Sequence, residues 1–205
     1  MQLGVPVAEM GLVLVGEAFI ASVKPALDGV ISGWAVASRW IDRSFGLVSL
    51  GSAILRVTNP ESVAGVTVLD TVLQNDDRDD FNVLLEPLSR SRGSFSVRYI
   101  DHGRSLGAFH PLLSAGSPVS ALTCFAPEND DLRALVTDQS VFMPYLLAAE
   151  GLRSPEIGGV AAGMLSLGWD LDPTYPNRVV EHVLVAGRHI RQAVLDSLSL
   201  FPRCR

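Results

Sequence analysis

The residues of this chain whose types could carry chemistry are four histidines, two cysteines and an acidic run at Asp76–Asp80. His182 and His189 stand seven apart, on one face across two turns of a helix. Two histidines do not complete a zinc shell, since structural zinc takes four ligands and catalytic zinc three from the protein. Cys204 could extend the set, but it lies one residue from the end of the sequence. His102 falls in a turn pattern and His110 beside Pro111 in a strand pattern, each without a second ligand nearby in sequence. The run Asp76-Asp77-Arg78-Asp79-Asp80 lacks the alternating acids, the glycine and the distant glutamate of a calcium loop. Acids at a helix N-terminus complement the macrodipole by about 0.3–1 kcal/mol each, which accounts for the run as capping. No metal site is expected.

Enzyme signatures are equally sparse. The chain has no G-x-S-x-G, no glycine-rich phosphate loop ending in Lys-Ser/Thr and no G-x-G-x-x-G. Lys24 is the only lysine, so a lysine-dependent mechanism has one residue to rest on. Fifteen arginines carry the remaining positive charge, with Arg90, Arg92 and Arg98 the nearest to a cluster. No catalytic residue is assigned, and the enzyme reading is not favoured.

The composition of the 205 residues narrows the partners. Apolar residues make up 48% and charged ones 19%, enough material for a buried core. The formal net charge of -6 offers no basic stripe to release counterions from a nucleic acid, so nucleic acid is disfavoured as a partner. Cys124, inside the apolar ALTCFA, reads as a small buried hydrophobe, and two cysteines make no disulfide framework. A cytoplasmic or other reducing compartment is the expectation. Gly11–Val23 is apolar but interrupted by Glu17 and short of a bilayer span, so a core-packed element is expected there and no membrane insertion.

The elements that must position these residues divide the chain into 1–44, an N-terminal helical segment, 45–127, a mixed domain, and 128–205, a C-terminal helical region. Val30, Trp34, Val36, Trp40 and Ile41 recur at helical spacing, predicting a helix within 26–44. From Phe45 the texture becomes short runs and turns: FGLVSL and AILRVT read as a hairpin that Asn59-Pro60 ends. Phe81, Leu84, Leu85 and Leu88 share one face of a predicted helix over 77–89 that makes Phe81 a core residue. Phe95–Ile100 alternates as a strand, and Ser105–Leu113 and Val119–Phe125 supply two more. Beyond Pro127, helices are predicted over 132–151, broken near Pro144, and over 178–200, with glycines weakening the stretch 154–167.

Gly65, Thr67 and Asp70 (G-x-T-x-x-D), then Asp77-Arg78 with Phe81, then FSVRY form an order that resembles a PAS domain over residues 45–127. Two departures stand out: only five residues separate Asn59 from Gly65, and Pro127-Glu128-Asn129-Asp130 replaces the usual exit motif. The resemblance implies an α+β fold, a five-stranded antiparallel sheet of PAS type with helices on one face, plus flanking N- and C-terminal helices. It implies a non-catalytic sensory or protein-interaction domain that signals through those helices, with a protein partner or homodimer. Phe95, Val97, Tyr99, His110 and Thr123 would line any small-molecule cavity; no haem or flavin anchor is present, and no cofactor is expected. An alternative is a structural subunit of a larger assembly, such as a virion or transport-type β protein, with the apolar first 40 residues buried against neighbours. A further alternative follows Ala149–Ile157 (AEGLRSPEI), which is similar to the start of a LuxR-type helix-turn-helix and would imply a transcription regulator.

Overall fold

The computed structural model describes residues 3–23, 32–42, 44–47, 56–88, 93–102, 105, 122–166 and 173–205. Met10–Val15 (β1) and Gly33–Ser38 (β2) pair antiparallel as a two-stranded ribbon, with the helix Glu17–Val23 (α1) between them. The segment ahead of β1 ties the ribbon to the body. The Ala8 amide donates to the Tyr99 carbonyl (3.1 Å) and the Tyr99 amide to the Pro6 carbonyl (3.1 Å).

The body is built on a second sheet and one central helix. Phe45–Gly46 (β3), Val83–Pro87 (β4) and Phe95–Tyr99 (β5) pair antiparallel in the order β3-β4-β5. Val83 lies opposite Tyr99 and Leu85 opposite Val97, and all four side chains are buried on one face. Glu86 and Arg98 stand on the other face as a half-exposed ion pair at 2.8 Å. Asn59 continues the ladder with its side chain: its Oδ1 accepts from the Val97 amide (2.8 Å) and its Nδ2 donates to the Val97 carbonyl (3.1 Å).

Against the buried face lies Ser62–Leu73 (α2), SVAGVTVLDTVL. A helix this rich in β-branched residues gains little from propensity and depends on packing. Ten of its twelve residues are buried, so it is the spine of the core rather than an amphipathic surface helix. Gly65 leaves room for the Tyr145 ring, whose Cε1 would lie 2.6 Å from an added Cβ. The helix ends at Gln74, a left-handed residue (φ 51°) whose amide returns to the carbonyls of Asp70 and Thr71.

The C-terminal part packs on the other side of α2. Asp130–Arg133 (α3), Met143–Glu150 (α4), Ser154–Ser166 (α5) and Tyr175–Asp196 (α6) follow in order. Val179, Val183, Ala186, Ile190 and Val194 repeat at three- and four-residue steps along α6 and form its buried stripe. Gly187 permits α6 to approach α4, because an added Cβ would meet the Ala149 carbonyl oxygen at 2.9 Å. Arg191 then clamps Glu150 with two bonds of 2.7 Å. The hydrophobic core runs from Leu47 through α2, β4, β5, α4 and α6 to Phe201.

Several expectations are corrected. The α+β class has no five-stranded sheet; among the described residues there are two sheets, of two and three strands. The helix expected over 77–89 is a short 3-10 turn, Asp80–Asn82, followed by strand β4. Its alternation of Val83, Leu85 and Pro87 answers the strand pairing with β5, and long-range pairing outweighs the helical spacing of the same residues. Phe81, expected in the core, is 74% exposed. The helix expected within 26–44 contains strand β2, fixed by its pairing with β1. The expected strand at Val119–Phe125 is irregular over its described residues 122–125, and that at Ser105–Leu113 lies outside the described residues except for Ser105. Most of the FGLVSL–AILRVT hairpin is also outside them.

Candidate functional site

Two places in the molecule depart from the ordinary arrangement of polar outside and apolar inside. One is a charged pair sealed in the body. Asp70, on α2, is wholly buried, and Arg78, in the loop after it, is 2% exposed. The pair is bidentate, with Arg78 Nε on Asp70 Oδ2 (2.8 Å) and Nη2 on Oδ1 (3.0 Å). The remaining donors of the guanidinium reach the carbonyls of Asn82 (Nη1, 3.1 Å) and Ile100 (Nη1, 2.6 Å) and the His102 ring (Nη2 to Nδ1, 3.0 Å). Five contacts match the five N–H groups that a guanidinium carries. Asn75 Nδ2 adds a further bond to Asp70 Oδ1 (2.9 Å), and the guanidinium carbon lies 5.7 Å from the centroid of the Tyr99 ring.

The protonation states follow from these bonds. Arg78 can only donate, so His102 Nδ1 accepts and the ring proton sits on Nε2. Burial, then the adjacent Arg78 charge, holds the His102 pKa below its ordinary value of 6.5. Burial pushes the Tyr99 phenol well above its ordinary range, against the smaller opposing effect of its contact with Ser62 (3.3 Å). The centre therefore holds a saturated arginine, a neutral imidazole and a protonated phenol. Within it, the His102 Nε2 and the Asn75 Oδ1 are buried without a hydrogen-bond partner among the described residues; the centre joins α2, the loop after it, the start of β4 and the end of β5.

The second place is the ribbon. Opposed residues of an antiparallel pair share a face, so Met10, Leu12 and Leu14 lie with Val36 on one side, and Gly11, Val13, Ala35 and Ala37 on the other. Met10, Leu12, Leu14 and Val36 are each half or more exposed, reaching 66% at Leu14. Phe19 on α1 and Trp40 beyond β2 are also exposed. Neither strand contains a charge or a proline, the usual guards of an open strand edge. At the base of the ribbon a cleft of about 450 Å³ opens between Met10, Val36 and the Tyr99–His102 end of the sheet.

The residues singled out in the sequence are placed as follows. Phe95, Val97 and Tyr99 share the inner face of β5, where Val97 and Tyr99 are fully buried and Phe95 meets the Phe45 ring edge-on at 5.3 Å. Thr123 is exposed and away from that face, offering its carbonyl to Gln74 (3.4 Å). His110 lies outside the described residues. His182 is buried, its Nε2 donating to the Val72 carbonyl (3.0 Å), while His189, on the same helix, is exposed. Cys124 and Cys204 are both free, and burial raises the pKa of each thiol. Among the described residues no group of histidines, cysteines and acids is arranged to hold a metal ion. The Asp70–Arg78 pair was missed as a pair. Its signal was an acid inside an otherwise apolar helix, which requires a buried partner.

No protein-family model matches the chain, and no curated protein is significantly similar to it. Among the described residues no helix is long and apolar enough to cross a membrane.

Proposed function

We propose that the protein is a non-catalytic interaction protein, a subunit that docks on another protein chain through the β1–α1–β2 ribbon. One observation carries this reading: a two-stranded ribbon whose broad apolar face is exposed, standing on a body that has a hydrophobic core of its own among the described residues. A lone two-stranded ribbon is marginal in water and gains stability when its apolar face is covered. The uncharged strands impose no desolvation penalty on a partner that covers them. The saturated Asp70–Arg78 centre supports the non-catalytic half of the reading, since every arginine donor is spent on the fold.

The test replaces Leu12 and Leu14 together by lysine. The variant is expected to keep the unfolding free energy of the body within about 0.5 kcal/mol, as exposed substitutions do. It is expected to lose the companion chains that native mass spectrometry finds with the unaltered protein. If instead the variant unfolds several kcal/mol more easily and the mass of both proteins is the same, the ribbon belongs to the fold and the reading fails.

A further inference from the structure

We infer that the cleft at the base of the ribbon binds a small, neutral, largely apolar molecule with one hydrogen-bond acceptor, a ketone, ester or amide carbonyl, held by His102 Nε2–H. The cleft measures about 450 Å³, within the range of about 300–1,000 Å³ usual for small-molecule sites. Ala8, Met10, Val36, Tyr99 and Ile100 give it apolar walls. Ser38 and Asp101 also line it, and both are exposed, so they stand at its rim. His102 is the polar group of the interior, with its side chain only 15% exposed. An apolar cleft with a single inward polar group selects a ligand of the same make-up. Neither Leu12 nor Leu14 lines it, so its occupancy is tested separately from docking.

The histidine ring has one edge spent and one edge unused. Its Nδ1 accepts from Arg78 Nη2 (3.0 Å), so the ring proton sits on Nε2. The Nε2–Cδ2 edge lies across the ring from Nδ1 and is the edge left to face the cleft. Nε2 is buried, yet has no hydrogen-bond partner among the described residues. A buried donor without an acceptor is costly, and native proteins leave few of them. The ring is also held firmly. Arg78 bonds the Ile100 carbonyl (2.6 Å) as well as His102, and Asp101 between them has a left-handed backbone (φ 49°), which Gly, Asn and Asp adopt most readily. A donor fixed in this way is preorganised, which spares a ligand the cost of ordering it. The surroundings also set the ligand's charge. An anion would meet the Asp101 carboxylate at the rim, and no lysine or arginine is among the described lining residues. A cation would leave Nε2–H unpaired. A neutral carbonyl oxygen satisfies the donor and meets neither obstacle.

The test titrates the full chain at pH 7.5 with acetophenone, ethylbenzene and benzoate, and follows the imidazole nitrogens by NMR. The three probes share a benzene ring and differ in carrying a neutral acceptor, none, or an anionic one. Acetophenone is expected to bind saturably and at least about tenfold more tightly than either of the others. The His102 Nε2 resonance should move along the same binding curve. Val36→Trp, which fills the cleft from an exposed position, should weaken acetophenone at least about tenfold while the protein stays folded. Equal affinity for acetophenone and ethylbenzene, or binding that leaves the Nε2 resonance in place, overturns the role of His102. Tightest binding by benzoate overturns the neutral ligand. No saturable binding by any of the three, or acetophenone binding that Val36→Trp does not weaken, overturns the site itself.

Discussion

The body and the ribbon invert each other's chemistry. The body carries a bidentate ion pair into its interior, and the ribbon carries leucines and a methionine out into solvent. Each arrangement is costly in isolation, and each cost is met differently. Inside the body, five contacts satisfy the guanidinium, and the carboxylate keeps an additional amide from Asn75. On the ribbon, the described residues of the chain offer the bulky face no cover beyond its base. The proposed docking on another chain rests on this contrast between a paired charge inside and an open apolar face outside.

The comparison breaks first at Asp70. Asp70→Ala leaves a buried, unpaired arginine, a change that typically costs about 3–5 kcal/mol, and urea titration should show it. Asp70→Asn, which retains the shape and one acceptor, should lose less. A loss within 0.5 kcal/mol for Asp70→Ala would mean that the centre is not what holds the body. Next in size is Gly187→Ala. Its Cβ would press on the Ala149 carbonyl oxygen at 2.9 Å, so α6 must move from α4; overpacking of this kind costs about 1–3 kcal/mol. A neutral result would show that the two helices slide freely.

A pH dependence comes from the same centre. The folded protein favours neutral His102, so its pKa lies below that of the unfolded chain. The stability from this group is complete above about pH 6.5 and is lost as pH falls through the lower folded value, because the unfolded chain takes up the proton first. Asp70 and Asp101 oppose the shift, and burial and Arg78 outweigh them. His102→Gln, whose amide oxygen can still accept from Arg78, should therefore lose less stability than the unaltered protein between pH 7.5 and pH 5.5 in parallel urea titrations. Identical losses would contradict the neutral histidine. The smallest effect belongs to Phe81→Ala. At 74% exposure this ring should give up no more than about 0.5 kcal/mol, whereas a core position would cost about 3–5 kcal/mol.

The parts of the fold legible in the sequence are those decided locally. Strand β5 shows itself by alternation, FSVRY, and α6 by a stripe repeated over about four turns. The parts that were misread are decided by distant partners. Val83–Pro87 satisfies helical and strand spacing alike, and only pairing with Phe95–Tyr99 selects the strand. Gly33–Ser38 is likewise a strand because Met10–Val15 lies beside it, 18 residues or more earlier in the chain. The apolar N-terminal stretch was expected in a core because hydrophobicity reports only that a surface seeks cover, not whether its own chain provides it. At the buried centre, Asp70 and Arg78 were both visible as members of a motif, but their eight-residue separation across the end of α2 concealed that they form one pair.

The most direct test is sedimentation equilibrium of the unaltered protein beside the Leu12→Lys/Leu14→Lys variant. The account predicts a mass above the 22.0 kDa of one chain for the first and a single chain mass for the second, with both bodies folded. Equal masses for the two proteins would contradict it.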